Sequence, residues 1–224
     1  MPPLAQTTEQ KPEQVAIMRR VKAAATSCGG GHMDSFARPV RTSAQGSISG
    51  SLLLPARPAA HGALADLIRQ GQYQLALSAL ATVLLRLGHP DRQGAMREEL
   101  FRRMVFNILM DNTDDHERNH CLRLGFDGYY DLAPAFDVVP TLQNMGYQAM
   151  VVGQHGAQST LDNALTDLSE FGLTRARAIA LIQEVAHAIE QWPLHFAQHG
   201  VCAADMEQLA ASIDRDALKD QRKA

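Results

Sequence analysis

LFRRMVFNILMDNTDDHERNHCLRLGFDGYYDLAPAFDVVPT, residues 100–141, is the stretch on which the reading of this chain turns. It begins inside a strongly patterned helix. Met96, Leu100, Phe101, Met104, Val105, Ile108 and Leu109 recur at three- and four-residue steps, and Arg97, Glu98, Arg102 and Arg103 fill the positions between. That spacing predicts a core helix with one buried face, ending near Asp111 and Asn112. A charged segment, DNTDDHERNH, follows. Next, Cys121 to Leu124 and Tyr129 to Leu132 flank Gly125-Phe-Asp-Gly128, the pattern of a β-hairpin with Asp127 and Gly128 in its turn. Ala133 to Thr141 reads as a loop carrying Pro134 and Pro140.

Chemistry concentrates in the charged segment. Asp111, Asp114, Asp115, His116, Glu117, Arg118 and His120 lie between a core helix and a hairpin, a rigid mounting of the kind that often carries sites. The hairpin returns the chain, which brings Asp137 back toward Asn119. An Asp followed after four residues by an Asn, here Asp114 and Asn119, is the spacing of a phosphotransfer catalytic loop. One carboxylate orients the attacking hydroxyl and takes its proton. The Asn offers a neutral carbonyl oxygen to magnesium, and a second carboxylate, Asp137, joins the same metal and positions the nucleotide phosphates. His116 fits a structural bracket of the loop better than a base.

A second pattern overlaps the first. His116-Glu-Arg-Asn-His120 is a literal H-E-x-x-H. On a helix it would set two imidazoles on one face for zinc, with Glu117 as general base. No downstream third ligand identifies itself, and His155 and Glu170 are candidates only by default. Both patterns are short, and a charged stretch after a helix is most often a solvated face, so spacing alone leaves all three readings open.

Working outward, residues 63–85 are helical in pattern. Leu64, Leu67 and Ile68 share one face, and Tyr73, Leu77, Leu80, Ala81, Leu84 and Leu85 mark a second run. Downstream, a helix from about Thr174, its N-cap, to the Trp192 region turns Ile179, Ile182, Val185, Ala186 and Ile189 inward. Another spans about Ala204 to Asp214. Trp192 reads as core. His187, His195 and His199 read as surface or core histidines rather than a metal pair, and for Arg102 and Arg103 a grip on phosphate and a solvated helix face fit equally well. The first 60 residues differ: a short helical candidate at Glu13–Ala25, then Gly- and Ser-rich sequence with Gly29-Gly-Gly31 as a flexible joint, then Ser51–Leu54 halted by prolines.

Composition bounds the possibilities. The 224 residues are 46% hydrophobic and 20% charged, ordinary for a globular domain, and the net charge of -3 gives no support for a nucleic-acid-coating surface. Three dispersed cysteines form neither a disulfide framework nor a zinc spacing. No apolar run approaches ~18 residues and no secretory signal pattern opens the chain, so a cytoplasmic location without membrane contact is expected.

The ordered pieces Phe106-Asn-Ile-Leu109, Asn112-Thr-Asp-Asp-His-Glu-Arg-Asn119 and Leu132-Ala-Pro-Ala-Phe-Asp-Val-Val-Pro-Thr141 resemble the C-terminal domain of HipA-like kinases. That family carries an apolar helix ending in F-N-x-L, then G-N-x-D-x-H-x-x-N, a hairpin, and L-x-P-x-[YF]-D-x-x-x-T. The resemblance implies a mainly α fold with a small β-hairpin, the C-terminal lobe of a protein-kinase-like fold. It implies Asp114 as catalytic residue, Asn119 and Asp137 as metal ligands, and Asn112 and His116 as loop-structuring residues. It also implies ATP and Mg2+, a Ser/Thr protein substrate, and a small DNA-binding antitoxin as partner. His116 and Asn119 are then family positions, which leaves Glu117 and His120 of the zinc pattern as coincidence.

The chain departs from the family in three respects. Asp111 stands where the family has Gly, which puts an extra negative charge near the metal region, one that a position beside the loop could tolerate or that would weaken phosphate approach by like-charge repulsion. Residues 1–60 show no strand series, and Lys11 and Lys22 are the only lysines ahead of the loop, so the nucleotide-binding N-lobe is expected to be absent or truncated. Gly29–Gly31 also lacks the bracketing of a phosphate cradle. The expected organisation is a weakly structured or truncated region at 1–60 and a kinase lobe at 61–219. The expected function is ATP- and magnesium-dependent phosphotransfer, with a separately encoded N-lobe as partner. A non-catalytic interaction module and a zinc hydrolase are the alternatives.

Overall fold

The computed structural model describes residues 76–223. The expectations for Glu13–Ala25, Gly29–Gly31, Ser51–Leu54, Lys11, Lys22 and the face formed by Leu64, Leu67 and Ile68 lie outside the described residues. Within them the chain is mainly helical, with one two-stranded antiparallel hairpin.

Helix α1 (Leu77–Leu87) buries Leu77, Leu80, Ala81 and Leu84, a single stripe at helical spacing. Leu85, expected on that stripe, is instead 44% exposed. It sits about 80° around the helix from Leu77, beyond the edge of the contact face. Helix α2 (Gln93–Leu109) is the central element. Leu100, Phe101, Met104, Val105, Ile108 and Leu109 are all buried along it, and it stops at Leu109 with Met110 as its cap.

Two short helices, α3 (Leu161–Ala164) and α4 (Leu168–Phe171), and the long α5 (Arg175–Glu190) pack around α2. Phe171 of α4 meets Phe101 edge to face at 5.5 Å. Thr174 caps α5 as its sequence predicts, its hydroxyl accepting from the Arg177 amide at 3.2 Å. The α5 helix ends before Trp192, and α6 (Trp192–Gln198) starts afresh with Pro193 in its first turn, where a missing N–H is harmless. Trp192 is buried and donates its indole N–H to Asp214.

Helix α7 (Ala203–Ile213) falls where the periodicity puts it. Helix α8 (Asp216–Lys223) carries no apolar stripe to announce it and buries Leu218 alone. Arg222 staples α8 back to α7 through the Ile213 carbonyl (2.8 Å) and Asp214 (2.9 Å).

Strands β1 (Leu122–Leu124) and β2 (Tyr130–Leu132) pair in the register Leu122 with Leu132, Arg123 with Asp131 and Leu124 with Tyr130. Gly128 sits at φ 79°, a left-handed position that glycine takes without a Cβ clash. Arg92, just ahead of α2, bridges Asp127 (2.8 Å) and Asp131 (2.9 Å), and Arg103 on α2 donates to the Ala133 carbonyl at 2.9 Å. The hairpin and the chain leaving it are thereby fixed against α2. Arg102 pairs with Glu98 along α2 and with Glu184 across the α2–α5 seam, and Arg103 also pairs with Glu99. Both arginines are thus engaged within the protein rather than solvated, with 11% of the Arg103 side chain exposed.

Truncating Phe101 to Ala should remove about 3–5 kcal/mol of unfolding free energy, because a fully buried ring leaves a cavity behind. Urea denaturation measures it, and a loss below about 1 kcal/mol would show that the ring is not in the core. A pH effect follows from the same seam. The bidentate Arg177 hydrogen bonds (2.9 and 2.7 Å) hold the Glu98 carboxyl below its ordinary value of 4.5. A lowered folded-state value stabilises above the ordinary value, and the contribution is lost as pH falls through the lowered one. The stability difference between wild type and Arg177→Gln should therefore be largest above pH 4.5 and shrink on acidification. A difference constant with pH would contradict the pairing.

Candidate functional site

The site is built on the C-terminal end of α2. The Asn112 amide N–H donates to the Asn107 carbonyl at 2.9 Å, and the Asn112 side-chain amide donates to Asn107 Oδ1 at 3.0 Å, both residues being buried. This pair turns the chain sharply out of the helix. Asp111 adopts φ 56° to make the turn. A left-handed backbone is one that glycine takes freely and that Asp or Asn tolerates. The family's Gly at this position therefore has a backbone reason.

The Asp111 carboxylate does not face a phosphate. It is 1% exposed, and Arg215 Nη2 lies 2.9 Å from its Oδ1. Its Oδ2 accepts from the Ser212 hydroxyl (2.9 Å) and from the Asn144 amide (3.3 Å). The expectation of a repulsive charge beside the metal region is corrected: a guanidinium, a hydroxyl and an amide N–H compensate the charge inside the protein. The Asp111 carbonyl also accepts from the Thr141 amide (3.0 Å) and hydroxyl (2.9 Å). Since the Thr141 hydroxyl donates there, Thr113 Oγ1 donates to it across 2.7 Å. The root of the Asp114 loop and the end of the Asp137 segment are thus laced together.

Beyond Thr113 the loop exposes Asp114. The Asp114 carbonyl accepts from the His116 amide (2.9 Å) and from the Asn119 side-chain amide (3.2 Å). Its backbone is held while its carboxylate faces solvent. Because Asn119 uses its NH2 as donor, its Oδ1 is left as an acceptor. Asn119 itself is buried, at the end of a single 3-10 turn, Glu117–Asn119. His116 precedes that turn, partly buried, with an extended backbone. Asp137 is exposed at φ 57°, between the exposed Phe136 and Val138.

The zinc arrangement needs His116 and His120 on one face of a helix. The structure ends α2 at Leu109 and sets the two histidines on either side of the 3-10 turn, each with an extended backbone. His120 turns inward, its Nε2 2.9 Å from Asp115 Oδ1, although out of line for a regular hydrogen bond. Among the described residues no group of three or more His, Cys, Asp or Glu side chains could hold a metal, and His155 and Glu170 do not join the pair. The H-E-x-x-H match is therefore corrected to a loop containing a buried Asp115–His120 contact.

Sequence reasoning missed Thr141, Asn144, Ser212 and Arg215 as parts of this region. Thr141 lay inside the quoted motif, but its hydroxyl's partners were not readable. Ser212 and Arg215 carry no local signal at all. Elsewhere, on and just beyond α6, the His195 and His199 rings lie 4.2 Å apart, tilted by 46°, and burial, with the neighbouring His199, lowers the His195 pKa below its ordinary value.

Among the described residues no helix is long and apolar enough to cross a membrane. Comparison with curated proteins gives no match. Among solved structures, the chain resembles a chain of the Shewanella oneidensis MR-1 toxin–antitoxin complex of HipA, HipB and operator DNA. The identity is 16% and the TM-score 0.49, over 67% of this chain and 38% of that one. This chain therefore spans well under half the length of that relative. Residues 60–192 match the HipA-like C-terminal domain. That match covers more than half of the 224 residues, and the chain belongs to the HipA-like C-terminal domain family.

Proposed function

We propose that this chain is the site-bearing helical lobe of a HipA-like protein kinase, transferring the γ-phosphoryl group of ATP, with Mg2+, to a Ser or Thr hydroxyl of a protein. Family membership supports a kinase-like role. The observation that carries the reading further is where the strained backbone lies. Among the described residues, the non-glycine residues with positive φ are Asp111, Asp137, Leu142 and Asn144, and all fall in the loops that present Asp114, Asn119 and Asp137. Such conformations persist only where their surroundings hold them, and they cluster at functional sites.

In this reading Asp114 orients the substrate hydroxyl and accepts its proton. Its carbonyl is tied by two donors, so the outward carboxylate stands on a fixed backbone. Asn119 Oδ1 and the Asp137 carboxylate would hold the metal. Their oxygens suit magnesium, which commonly takes one or two carboxylates together with substrate phosphates rather than an all-protein cage. The metal would neutralise phosphate charge. Asn112, through Asn107, and His116, through its backbone bond to Asp114, hold the loop. The proposal keeps residues 61–219 as the lobe and 1–60 as a separate region. It includes a small DNA-binding antitoxin as partner.

Calorimetry with ATP and Mg2+ tests the assignment. Wild type should bind, and Asp137→Asn, which keeps the tolerance for a left-handed backbone, should lose metal-dependent binding. Asp114→Asn should keep binding and lose about 10²–10⁴-fold in phosphotransfer. Wild-type binding by Asp137→Asn would sink the metal assignment, whereas phosphorylation of a protein by the pure chain would exclude a non-catalytic interaction module.

A further inference from the structure

We propose that Arg215, at the corner between α7 and α8, is a positioning residue for this site, setting the loops that carry Asp114, Asn119 and Asp137. The inference deepens the phosphotransfer reading and rests on it for its catalytic meaning. Arg215 lies beyond the residues 60–192 that match the family domain. Its guanidinium forks between two loops: Nη2 to Asp111 Oδ1 at 2.9 Å, and Nη1 to Asn144 Oδ1. Ser212, one turn earlier, bridges the same two residues, to Asp111 Oδ2 at 2.9 Å and to Asn144 Oδ1 at 3.0 Å.

The residues so clamped are both in the left-handed region, Asp111 at φ 56° and Asn144 at φ 52°. Asp111 is the root of the Asp114 loop. Asn144 closes the segment that begins at Asp137, and between them Thr141 returns two hydrogen bonds to the Asp111 carbonyl. Two strained turns on the two arms of the site are thus held by one pair of side chains from one helix end. A planar guanidinium can satisfy both oxygens at once, and a lysine ammonium lacks that fork.

Displacement at the root also has a short path to the site. Asn112 and Thr113, the residues between Asp111 and Asp114, are both buried and hydrogen-bonded, so the segment has little slack to absorb a shift. Without Arg215 the Asp111 carboxylate is left buried without its counter-charge. Relief then comes from rotating the left-handed turn outward, and Asp114 moves with it. In a chain with glycine at the root there is no carboxylate to compensate. The charge-compensating part of the dependence on Arg215 is therefore specific to Asp111, whereas the contact to Asn144 is not.

Two measurements on the full chain test this, with Arg222→Gln as the control. Arg222 staples the same corner through Ile213 and Asp214 without touching Asp111. In the ligand-free protein, amide hydrogen exchange across 111–119 and 139–146 should quicken by about tenfold or more in Arg215→Gln and stay near wild type in Arg222→Gln. Magnesium-dependent ATP affinity should fall by a similar factor in Arg215→Gln alone. In an Asp111→Gly background the Arg215→Gln effect on both readouts should shrink to what the Asn144 contact carries, the non-additivity expected of a direct pair. Arg215→Lys is expected to fall between wild type and Arg215→Gln, and it replaces Arg215→Gln if that variant does not fold. Equal effects from both arginines, no change in exchange, or an undiminished effect in the Asp111→Gly background would each overturn the proposal. Should wild type itself fail to bind ATP and magnesium, the phosphotransfer reading falls, and the exchange data alone decide the coupling.

Discussion

The Asp111 carboxylate, buried at the end of the central helix, constrains several separate parts of this structure at once. A carboxylate taken out of water is tolerated only when paired and hydrogen-bonded. Arg215, Ser212 and the Asn144 amide meet that demand, and they come from both a loop and the far end of the chain. The same residue's carbonyl receives two donors from Thr141. One backbone position therefore joins α2, the Asp137 segment and α7. Leaving any of these partners out would strand a buried charge or a buried carbonyl, so the parts are held as a set.

The apolar framework supplies the platform for that knot. Leu100, Phe101, Met104 and Ile108 anchor α2 among α1, α4 and α5, and a helix so enclosed cannot rotate to carry its C-terminal turn elsewhere. The surface ion pairs do a different task. Arg92 to Asp127 and Asp131 are partly exposed contacts of the kind that contribute little to stability, and the largely buried Arg103 adds a hydrogen bond to the Ala133 carbonyl. Their effect is orientational: they set the hairpin against α2 and so aim the chain that leaves it toward Asp137.

What could be read from the sequence was what is local. The stripe of α2 repeats within a few residues, as does the Thr174 cap of α5, and the Asp127–Gly128 turn needs only its own backbone geometry. The ordered motif from Phe106 to Thr141 was legible for the same reason, being nearly continuous. The knot was not. Thr141, Asn144 and Ser212 reach Asp111 across sequence separations of 30, 33 and 101 residues, and no periodicity encodes such pairings. Reading Asp111 as an isolated charge beside a metal was the natural error, because a sequence shows a charge but not its partner. The H-E-x-x-H pattern misled in the opposite way. Its spacing presupposes a helix, and the chain leaves helical geometry at Leu109, ahead of the first histidine.

In the phosphotransfer reading proposed above, the loop must satisfy two opposed requirements. Its functional oxygens must stay available, while the backbone that carries them must not move. Asp114 and Asn119 meet both by dividing each residue's polar groups between the two tasks. The Asp114 carbonyl is fully engaged and its carboxylate is not. The Asn119 NH2 is spent on that carbonyl, which leaves its Oδ1 as the only remaining acceptor of the amide. An Asp at position 119 could not make this division, since an ionised carboxylate has no N–H to give, and it would face the Asp114 carbonyl oxygen as a second acceptor. An Asn rather than an Asp at position 119 is therefore favoured by hydrogen-bond inventory before any ligand enters. The same inventory explains why the loop's rigidity has to be imported from Asp111 and its distant partners: the loop's own polar groups, once divided in this way, have few bonds left with which to anchor it.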